Sequence, residues 1–516
     1  MDRESESPVR RPDRLVRHIV AAALTLGLAA DLLLRAGPWG LNATLWTAAF
    51  VMAAWALALH HRPARPSFIL RVVLPVLLLL AIGFAWRDSE ALKAMNVLGI
   101  LLVVAVWSLA AEGIAVRRLG VLEYARGLVT AAIAAVAGAV GIVREERAWS
   151  GGPAGRWDRV RGSATGLLIA FPLLFVFGGL LMAADAVFDR MVARALSFDV
   201  ANVASHMAVV AVFTWMVAGF LLWTMRTRGW PTAIPGRLKP PRLGITEIGI
   251  PLTLLDLLFL AFVVIQLRYL FGDSSLVEMT TGLTYSEYAR RGFFELVAVC
   301  ALVLPVLLAA DSVLSDRDGR ARRFFRILTA VQLALLLVIV ASALQRMRLY
   351  VAAYGLTELR VYATAFMAWV AGVLGWFAVT VLRGRRDVFA GGAAVAGLLV
   401  LGLLNVVNPD GLIARINLDR AASGQTFDAK YNARLSADAV PALVSGLAYL
   451  RPDDRCRVAE RLLARWSPAT AYDWRTWDQS RARARRIIES KRPRLTELTC
   501  AASGSSDGAQ ATARPN

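Results

Sequence analysis

The sequence predicts an all-α, polytopic integral membrane protein with a small helical tail. Hydrophobic residues make up 57% of the 516 residues, and charged residues make up only 19%. The apolar residues occur in unbroken blocks of about 17 to 24, the length that a helix needs to cross about 30 Å of hydrocarbon. This composition excludes a disordered or collagen-like chain, and three cysteines are too few for a disulfide-framed secreted protein.

Each expected span is a long apolar block, and eleven blocks meet this description. A twelfth block, 127–143, is weaker because it holds six Ala and three Gly and has no aromatic residue. The first block carries Asp31 and Arg35 and lacks a cleavage site, so it is interpreted as a span and not as a signal peptide. The eleven blocks are 17–36, 41–59, 68–86, 93–111, 163–184, 200–224, 248–270, 293–310, 324–345, 361–382 and 388–407.

The position of the charges favours eleven spans over twelve. The formal net charge is +20, and the cytoplasmic loops of membrane proteins collect Lys and Arg. With a cytoplasmic N-terminus, eleven spans place the more basic loops inside throughout, whereas twelve would place the five basic residues of 226–242 outside. We therefore expect eleven spans, an N-terminus in the cytoplasm and an extracytoplasmic tail. The basic charge then marks topology, and no nucleic-acid partner is expected.

The chain divides into three expected regions. The first is an N-terminal membrane region, 1–162, which includes the basic cytoplasmic segment 112–162. The second is a membrane core, 163–407, and the third is a polar helical tail, 408–516. The last residues, 503–516, are rich in Gly, Ser and Ala and are expected to be disordered.

The tail is predicted to contain short helices. An Asn-Pro-Asp-Gly turn at 408–411 ends the last span. Ser436 can cap one helix, Pro452 suits the first turn of another, and a basic helix is expected over about 476–489. The tail also contains Cys456 and Cys500. Outside the cytoplasm these two could form a disulfide, although they could equally remain reduced.

The common motifs of soluble enzymes are missing from the sequence. No phosphate-binding GxxxxGK loop, HExxH metal motif or paired-Cys motif occurs. His206 is interpreted as a hydrogen-bonded or interface-facing histidine, and His60-His61 as an anchor at the inner membrane face. We therefore expect no cofactor and no metal, and whether the protein is an enzyme stays open.

Ionisable residues inside spans are costly, which makes them candidate functional residues. Asp256 lies in the middle of an apolar block and must be neutral, paired or facing water. The alternative to a functional role is an ion pair with an Arg that locks two helices.

Two further polar clusters flank spans on the side assigned to the outside. In the first, Tyr288, Arg291 and Glu295 share one helix face and could bind a phosphate or carboxylate; the alternative is an interfacial tyrosine with a local ion pair. In the second, Gly355 can end one helix and Thr357 can cap the next. The remaining members of the second cluster are Arg346, Tyr350, Tyr354, Glu358 and Arg360.

Four segments carry a resemblance to a known family. They are LMAADAVF at 181–188, which contains the candidate residue Asp185, TYSEYARRGFFEL at 284–296, YGLTELRVYA at 354–363 and NPDGLIARINLDR at 408–420. They resemble the recurrent motifs of a family of bacterial multi-spanning membrane proteins, catalogued as domain of unknown function 4173 and close to 4153. The resemblance implies a bacterial plasma-membrane protein and assigns no activity, cofactor or catalytic residue.

Three functions agree with these patterns. The first is a transporter or permease, with Asp256, Arg291, Glu295 and Arg346 along its pathway. The second is a partner-binding or regulatory subunit that uses the tail as its contact. The third is a membrane-embedded enzyme or assembly factor that acts on cell-envelope or lipid-linked material at the outer face. The lipid bilayer is the one partner that all three share.

Overall fold

The computed structural model describes most of the helical parts of the chain. The described residues are 14–61, 68–112, 114, 120, 123–136, 177, 181–182, 184–185, 191, 200–226, 243–270, 293–314, 319–466 and 473–500.

These residues are almost entirely helical, as the apolar blocks predict. Among them the β-structure is limited to one isolated parallel bridge between Leu243 and Leu314. The helices are α1 (Arg14–Leu34), α2 (Leu41–His61), α3 (Leu74–Trp86), α4 (Glu90–Ala111), α5 (Val200–Arg226), α6 (Ile245–Leu270), α7 (Phe293–Val313), α8 (Gly319–Tyr354), α9 (Glu358–Thr380), α10 (Phe389–Val407), α11 (Pro409–Ala422), α12 (Val440–Gly446), α13 (Pro452–Arg465) and α14 (Gln479–Glu497).

Eight helices of the described chain are long and apolar enough to cross a membrane. They coincide with eight of the eleven predicted blocks. Two further blocks correspond to shorter apolar helices, Arg71–Trp86 and Ala298–Val313. The block 163–184 lies mostly outside the described residues, and the weak block 127–143 is described as helix only as far as residue 136. The membrane class is therefore established, while the count of eleven is not confirmed.

The chain forms two compact units. The first consists of residues 1–78, 103–113 and 126–231, and the second of 79–102, 114–125 and 232–516.

In the first unit, α1 packs closely along α5 and also against α2. The close approach is possible because Gly27 of α1 has no side chain. A Cβ atom there would lie 2.1 Å from Oγ1 of Thr214 and 2.7 Å from the carbonyl oxygen of Val210. The aromatic rings of Phe50, Trp107 and Phe220 pack together with centroids 5.0 to 6.2 Å apart. Small residues at helix contacts and stacked aromatic rings are typical of packing within a membrane.

In the second unit, α6 to α9 form one apolar core. α6 packs along α8, α8 packs against α7 and α9, and α9 packs against α10. Leu307, Leu336, Leu374 and Phe377 are completely buried in this core. Pro251 and Pro305 lie inside α6 and α7. Each proline removes one backbone N–H from the hydrogen-bond ladder of its helix.

The tail also belongs to the second unit and forms a helical domain from α11 to α14. Asn408 adopts a left-handed conformation (φ 60°), and its side chain accepts a hydrogen bond from the N–H of Gly411, which starts α11 directly after α10. Pro452 lies in the first turn of α13, and Asp478 caps α14. Ile413, Val458 and Ile488 are among the fully buried core residues that hold these helices together.

The same apolar core includes residues at the ends of membrane helices. Leu92, Leu356, Val361 and Leu404 come from α4, the α8–α9 connection, α9 and α10, and they pack into the core of the tail. The tail is therefore seated directly on the second unit's helices and is not a separate domain on a linker.

Candidate functional site: a buried polar layer and a charged cluster under the tail

The first candidate site lies where α6 and α8 pack along each other. Two contacts define how these helices align. Gly249 is opposite the ring of Phe324, 3.4 Å from a Cβ built on the glycine, and the Ser342 hydroxyl donates a hydrogen bond to Oε1 of Gln266. Gln266 follows Gly249 on α6, and its partner Ser342 follows Phe324 on α8, so the two helices run parallel. Asp256 lies seven residues beyond Gly249, which places it at the level of the residues that follow Phe324 by two turns.

Each helix presents a regular stripe of buried residues to the core. On α6 the stripe recurs every three or four residues: Leu252, Asp256, Phe259, Val263 and Gln266. On α8 it consists of Ala321, Phe325, Thr329, Gln332, Leu336, Ile339 and Ala343, with neighbouring buried residues. Thr329 and Gln332 of the α8 stripe therefore lie near the level of Asp256 along the helix pair, and we name these three residues the polar layer.

Within the described residues, the three side chains of this polar layer are buried and have no hydrogen-bond partner. Asp256, Thr329 and Gln332 are 7%, 0% and 1% exposed. Both carboxylate oxygens of Asp256, the hydroxyl of Thr329 and both amide atoms of Gln332 meet no partner within the described chain. An unpaired buried polar group costs roughly 1–3 kcal/mol, and an unpaired charge costs more. Three such groups near one depth make this level of the helix pair a candidate binding position.

A second polar pair on the same helices shows the contrast. Gln266 and Ser342 are equally buried, but they hydrogen-bond to each other. Helix pairs in membranes commonly use such bonds to hold their alignment. The alignment of α6 and α8 is therefore held by its own polar contact, and this contact does not involve Asp256, Thr329 or Gln332. In the described residues, Asp256 also has no arginine partner, so the ion pair considered from the sequence is not observed.

The second candidate site lies beneath the tail. We name it the tail-base cluster and define it as Arg87, Asp88, Lys93, Asp438, Asp478 and Arg481. Three of these residues precede or begin α4, and the other three belong to the tail. They join regions of the sequence that are about 350 to 390 residues apart.

Asp438 accepts most of the hydrogen bonds at the centre of the tail-base cluster. Its Oδ1 lies 3.2 Å from Nη1 of Arg87 and accepts a 2.6 Å hydrogen bond from the hydroxyl of Ser480. Its Oδ2 accepts the backbone N–H groups of Asp88 and Ser89 at 2.8 and 3.3 Å. Arg87 also donates to the carbonyl oxygens of Asn405 and Val406 at the end of α10. One arginine and one carboxylate thus fasten the tail to two membrane helices.

The other members surround a second pair of carboxylates. Nζ of Lys93 lies 3.4 Å from Asp88 and 3.7 Å from Asp478, and Arg481 contacts both acids. Burial opposes ionisation of Asp88, but Lys93, the N–H of Ala437 and Arg481 outweigh it and lower the pKa of Asp88. Burial and the neighbouring Asp88 raise the pKa of Asp478. Three acids against three bases give a neutral cluster, which suits a structural junction better than a ligand site.

Asp410 lies beside the tail-base cluster and differs from its members. It is 1% exposed, its Oδ2 accepts the N–H of Ser436, and its Oδ1 has no partner in the described residues. Burial raises the pKa of Asp410 to about 7, and repulsion from Glu358 and Asp438 adds to the shift. This carboxyl group therefore changes charge near neutral pH.

The structure places the second sequence cluster at the corner between α8 and α9. Gly355 ends α8 with φ 80°, which confirms the predicted left-handed cap. Thr357 stands at the start of α9, but its side chain makes no capping hydrogen bond, so that detail of the prediction is wrong. The rings of Tyr350 and Tyr354 meet edge to face with centroids 5.2 Å apart, and the guanidinium of Arg360 lies 4.0 Å from the centroid of the Tyr350 ring.

Two side chains of the tail hold this corner. Arg420 of α11 donates to the last carbonyl oxygens of α8, those of Val351, Ala352 and Ala353. Asn417 brackets the peptide of Leu356, accepting its N–H at 2.8 Å and donating to its carbonyl at 2.9 Å. The corner is therefore a docking point for the tail, and its polar residues have structural partners.

The other sequence candidates are dispersed. Asp185 and Glu295 are exposed, Arg346 is half-buried on α8, and Glu358 begins α9 with its N–H bonded to the hydroxyl of Tyr431. Tyr288 and Arg291 lie in a part of the chain that the structure does not describe. Their predicted role with Glu295 therefore remains a prediction.

Sequence reasoning missed Thr329, Gln332 and most of the tail-base cluster. Thr329 and Gln332 carry no charge and fit a helical stripe, so only the alignment with α6 reveals them. The segment Arg87-Asp88-Ser89-Glu90 between two apolar blocks was a visible signal. Its partners lie hundreds of residues away, however, and no spacing rule connects them.

Together these observations define a polytopic α-helical membrane protein whose C-terminal domain is built onto its membrane helices. The chain belongs to the family described as Domain of unknown function (DUF4153), whose pattern matches residues 74–446. The family is thus the neighbouring 4153, which corrects the number 4173 suggested by the resemblance. Neither the curated proteins nor the solved structures gave a match.

The matched stretch covers the whole polar layer and part of the tail-base cluster. It includes Asp256, Thr329 and Gln332, together with the cluster members Arg87, Asp88, Lys93 and Asp438. Asp478, Arg481 and both cysteines of the tail lie beyond it. The polar layer therefore falls within the family's common domain, and the second half of the tail does not.

Proposed function

We propose that this protein is a cation-coupled transporter, with Asp256, Thr329 and Gln332 as the cation-binding position. The observation that supports the proposal is the group of unpartnered polar atoms at one level of the α6–α8 pair. Ionisable residues inside membrane helices commonly mark ion pathways and proton relays, because only a function outweighs their cost.

The chemistry of the three side chains suits a small monovalent cation. Asp256 supplies a negative charge, while Thr329 and Gln332 supply neutral oxygens. Sodium prefers such oxygen donors, and a proton can neutralise the carboxylate directly. In both cases the occupied site is neutral, and a neutral site can move within an apolar core at much lower cost than a charged one.

The helices around the layer have built-in weak points. Pro251 lies five residues before Asp256 on α6, and Pro305 lies inside α7 in the same core. Helices that carry transport sites are often discontinuous near the middle of the membrane. The prolines support a transporter, since they lower the cost of local rearrangement beside the binding position.

The proposed location is a bacterial plasma membrane, with the N-terminus in the cytoplasm and the tail outside. The distribution of Lys and Arg supports this orientation, because it leaves the basic loops on the cytoplasmic side. The oxidised cysteine pair of the tail agrees with an extracytoplasmic position.

The transporter is favoured over the two other functions considered. The enzyme hypothesis expects a groove lined by Tyr288, Arg291, Tyr354 and Arg360, of which the first two lie outside the described residues. In the described part, the Arg360 guanidinium already donates to the carbonyl oxygen of Gly355 and lies over the ring of Tyr350. For the partner hypothesis, the polar residues at the base of the tail already bind the membrane helices of the same chain. In the polar layer, by contrast, the polar atoms of Asp256, Thr329 and Gln332 have no partner within the described residues, so they can bind a ligand.

The proposal is tested by cation binding to the purified full-length protein in detergent. We expect sodium to raise the melting temperature relative to choline at equal ionic strength, because a ligand that binds only the folded state stabilises it. If the site takes protons instead, sodium has no effect, and infrared spectra show a carboxyl band that titrates. Asp256→Asn is expected to abolish whichever response the wild type shows.

Ser342→Ala serves as the matched control. It removes a satisfied hydrogen bond from the same helix pair, so it should lower the melting temperature and leave the cation response intact. A response that persists unchanged in Asp256→Asn contradicts the proposal. So does a wild type that shows neither a sodium response nor a titrating carboxyl band.

A further inference from the structure

Three histidines converge at one end of the first unit. His18 lies on the second turn of α1, and His60 and His61 end α2. The ring centroids are 4.8 to 5.3 Å apart, and Nδ1 of His18 lies 3.0 Å from Nε2 of His61. One ligand nitrogen from each ring can be chosen so that all three lie within 4.8 Å of one another.

We propose that His18, His60 and His61 bind a transition-metal ion of the zinc class. Zinc binds imidazole nitrogens at about 2.0–2.1 Å, and three such bonds in tetrahedral geometry place the nitrogens about 3.4 Å apart. In the structure, Nδ1 of His18 and Nε2 of His61 are 3.0 Å apart, and one nitrogen from each of the three rings lies within 4.8 Å of the others. Rotation of the side chains can bring the three nitrogens to the spacing that zinc requires. The backbones of α1 and α2 need not move.

Helix geometry accounts for the convergence. The two helices are joined by a short connection and run antiparallel, so the start of α1 meets the end of α2. His18 is one residue from the most N-terminal buried position of α1, Ile19, and it points outward beside α2. His18 and His60 are exposed, and His61 is half-buried, so an ion from solution can reach the ligand nitrogens directly.

The donor set selects the class of metal. Imidazole suits zinc, copper, nickel and cobalt, whereas magnesium and calcium require oxygen ligands. Three histidines leave the fourth tetrahedral position open for water or another ligand. Arg14 and Arg17 lie on the same end of α1 and repel a divalent ion, so the site is expected to bind more weakly than a closed structural zinc site.

This site is independent of the cation position proposed on α6 and α8. It lies in the other compact unit, and it uses nitrogen donors rather than oxygens. A metal there would fix the ends of α1 and α2 to each other, because each helix supplies at least one ligand. The proposal therefore stands or falls separately from the proposed transport function.

The test is metal binding by the full-length protein, purified with a tag that contains no histidine. Cobalt is the first probe, because a tetrahedral cobalt–imidazole site gives visible absorption, and zinc binding by calorimetry is the second. We expect about one equivalent to bind the wild type, with an affinity at least tenfold weaker in His18→Ala and in the double variant His60→Ala/His61→Ala. Magnesium should not compete.

His206→Ala is the matched control, since it removes a histidine of the same unit that contacts Asp31 instead. It should keep metal affinity within twofold of the wild type. Melting temperatures measured in chelator identify variants that merely fail to fold. The proposal is overturned if wild type and His18→Ala bind cobalt and zinc equally, or if His206→Ala loses binding to the same extent.

Discussion

Individual carboxyl groups in this protein differ sharply because their partners differ. Asp438 and Asp410 are both buried in the same part of the tail. Asp438 accepts hydrogen bonds from Arg87, two backbone amides and Ser480. Asp410 has the N–H of Ser436 and faces other acids, so its charged form is disfavoured. The number of donors, and not burial alone, separates the two residues.

Asp410 should make the stability of the protein depend on pH. Its pKa is about 7 in the folded chain, whereas the ordinary pKa of an aspartate in an unfolded chain is 3.8. Between these values the folded state binds a proton that the unfolded state has lost. The free energy of unfolding therefore falls as pH rises from about 4 to about 7, by at most ~1.4 kcal/mol per pH unit, and levels off above.

The variant Asp410→Asn should remove this contribution, because an amide cannot ionise. We expect it to melt at least as high as the wild type at pH 8 and to show a shallower decline between pH 4 and 7. Asp419→Asn, an exposed position on the same helix, provides the comparison. The titratable groups around Asp410 are Glu358, Asp438, Tyr362 and Tyr431. If melting temperature falls with pH at the same slope in Asp410→Asn and in the wild type, Asp410 is not the group responsible.

At the scale of helices, the apolar blocks predict where each helix lies in the sequence better than they predict which helices pack together. Eight spans and the end of α8 at Gly355 follow from sequence, since block length and left-handed glycine caps are local properties. Asp256 was recognised because a charge inside an apolar block is visible in the sequence. Thr329 and Gln332 were not, because their significance depends on the parallel alignment of α6 and α8. Pairing between distant helices is a long-range property that no local pattern carries.

The corner between α8 and α9 illustrates the same limit. Its tyrosines and arginines resembled a binding site in the sequence. In the structure, Arg420 and Asn417 of α11 occupy the carbonyl groups at the end of α8 and the Leu356 peptide. The last four carbonyls of a helix need partners, and here a helix that begins more than fifty residues later supplies them.

Arg420→Ala should loosen this corner. Three carbonyl oxygens lose a charged donor, and we expect a loss of about 1–3 kcal/mol, the usual cost of removing a hydrogen-bond partner of this type. Amide hydrogen exchange should accelerate over residues 351–356 and stay unchanged in α6. Arg415→Ala, an exposed arginine on the same helix, should have no effect. Equal exchange rates in the two variants would mean that Arg420 does not cap α8.

At the scale of the whole molecule, the tail is bonded to the second unit at three places. These are the tail-base cluster, the α8–α9 corner held by Arg420, and the apolar core shared with Leu92 and Leu404.

The buried charges of the tail-base cluster stabilise the protein mainly when every partner is present, because removing one leaves an uncompensated buried charge. Asp438→Asn should therefore cost several kcal/mol, on the order of the 3–5 kcal/mol typical of a broken buried ion pair. Thermal unfolding would measure it, and a loss below that of Asp419→Asn would exclude a structural role for the cluster.

The disulfide of the tail provides a test of membrane orientation. Cys456 and Cys500 are bonded, with Cα atoms 4.8 Å apart and a sequence separation of 44 residues. Such a bond persists only in an oxidising compartment, which for the proposed orientation is the outside of the plasma membrane. It should also stabilise the tail by about 2–4 kcal/mol through its closed loop.

In the variant Cys456→Ser, Cys500 becomes a free thiol. We expect a membrane-impermeant maleimide to label it in intact cells, because the tail faces the outside. The wild type should stay unlabelled until it is reduced, since its third cysteine, Cys300, is buried in the core of the second unit. Labelling of Cys456→Ser only after lysis would place the tail in the cytoplasm. That result would require an even number of spans with the same N-terminal orientation and would reverse the assignment of every loop that follows the weak block 127–143.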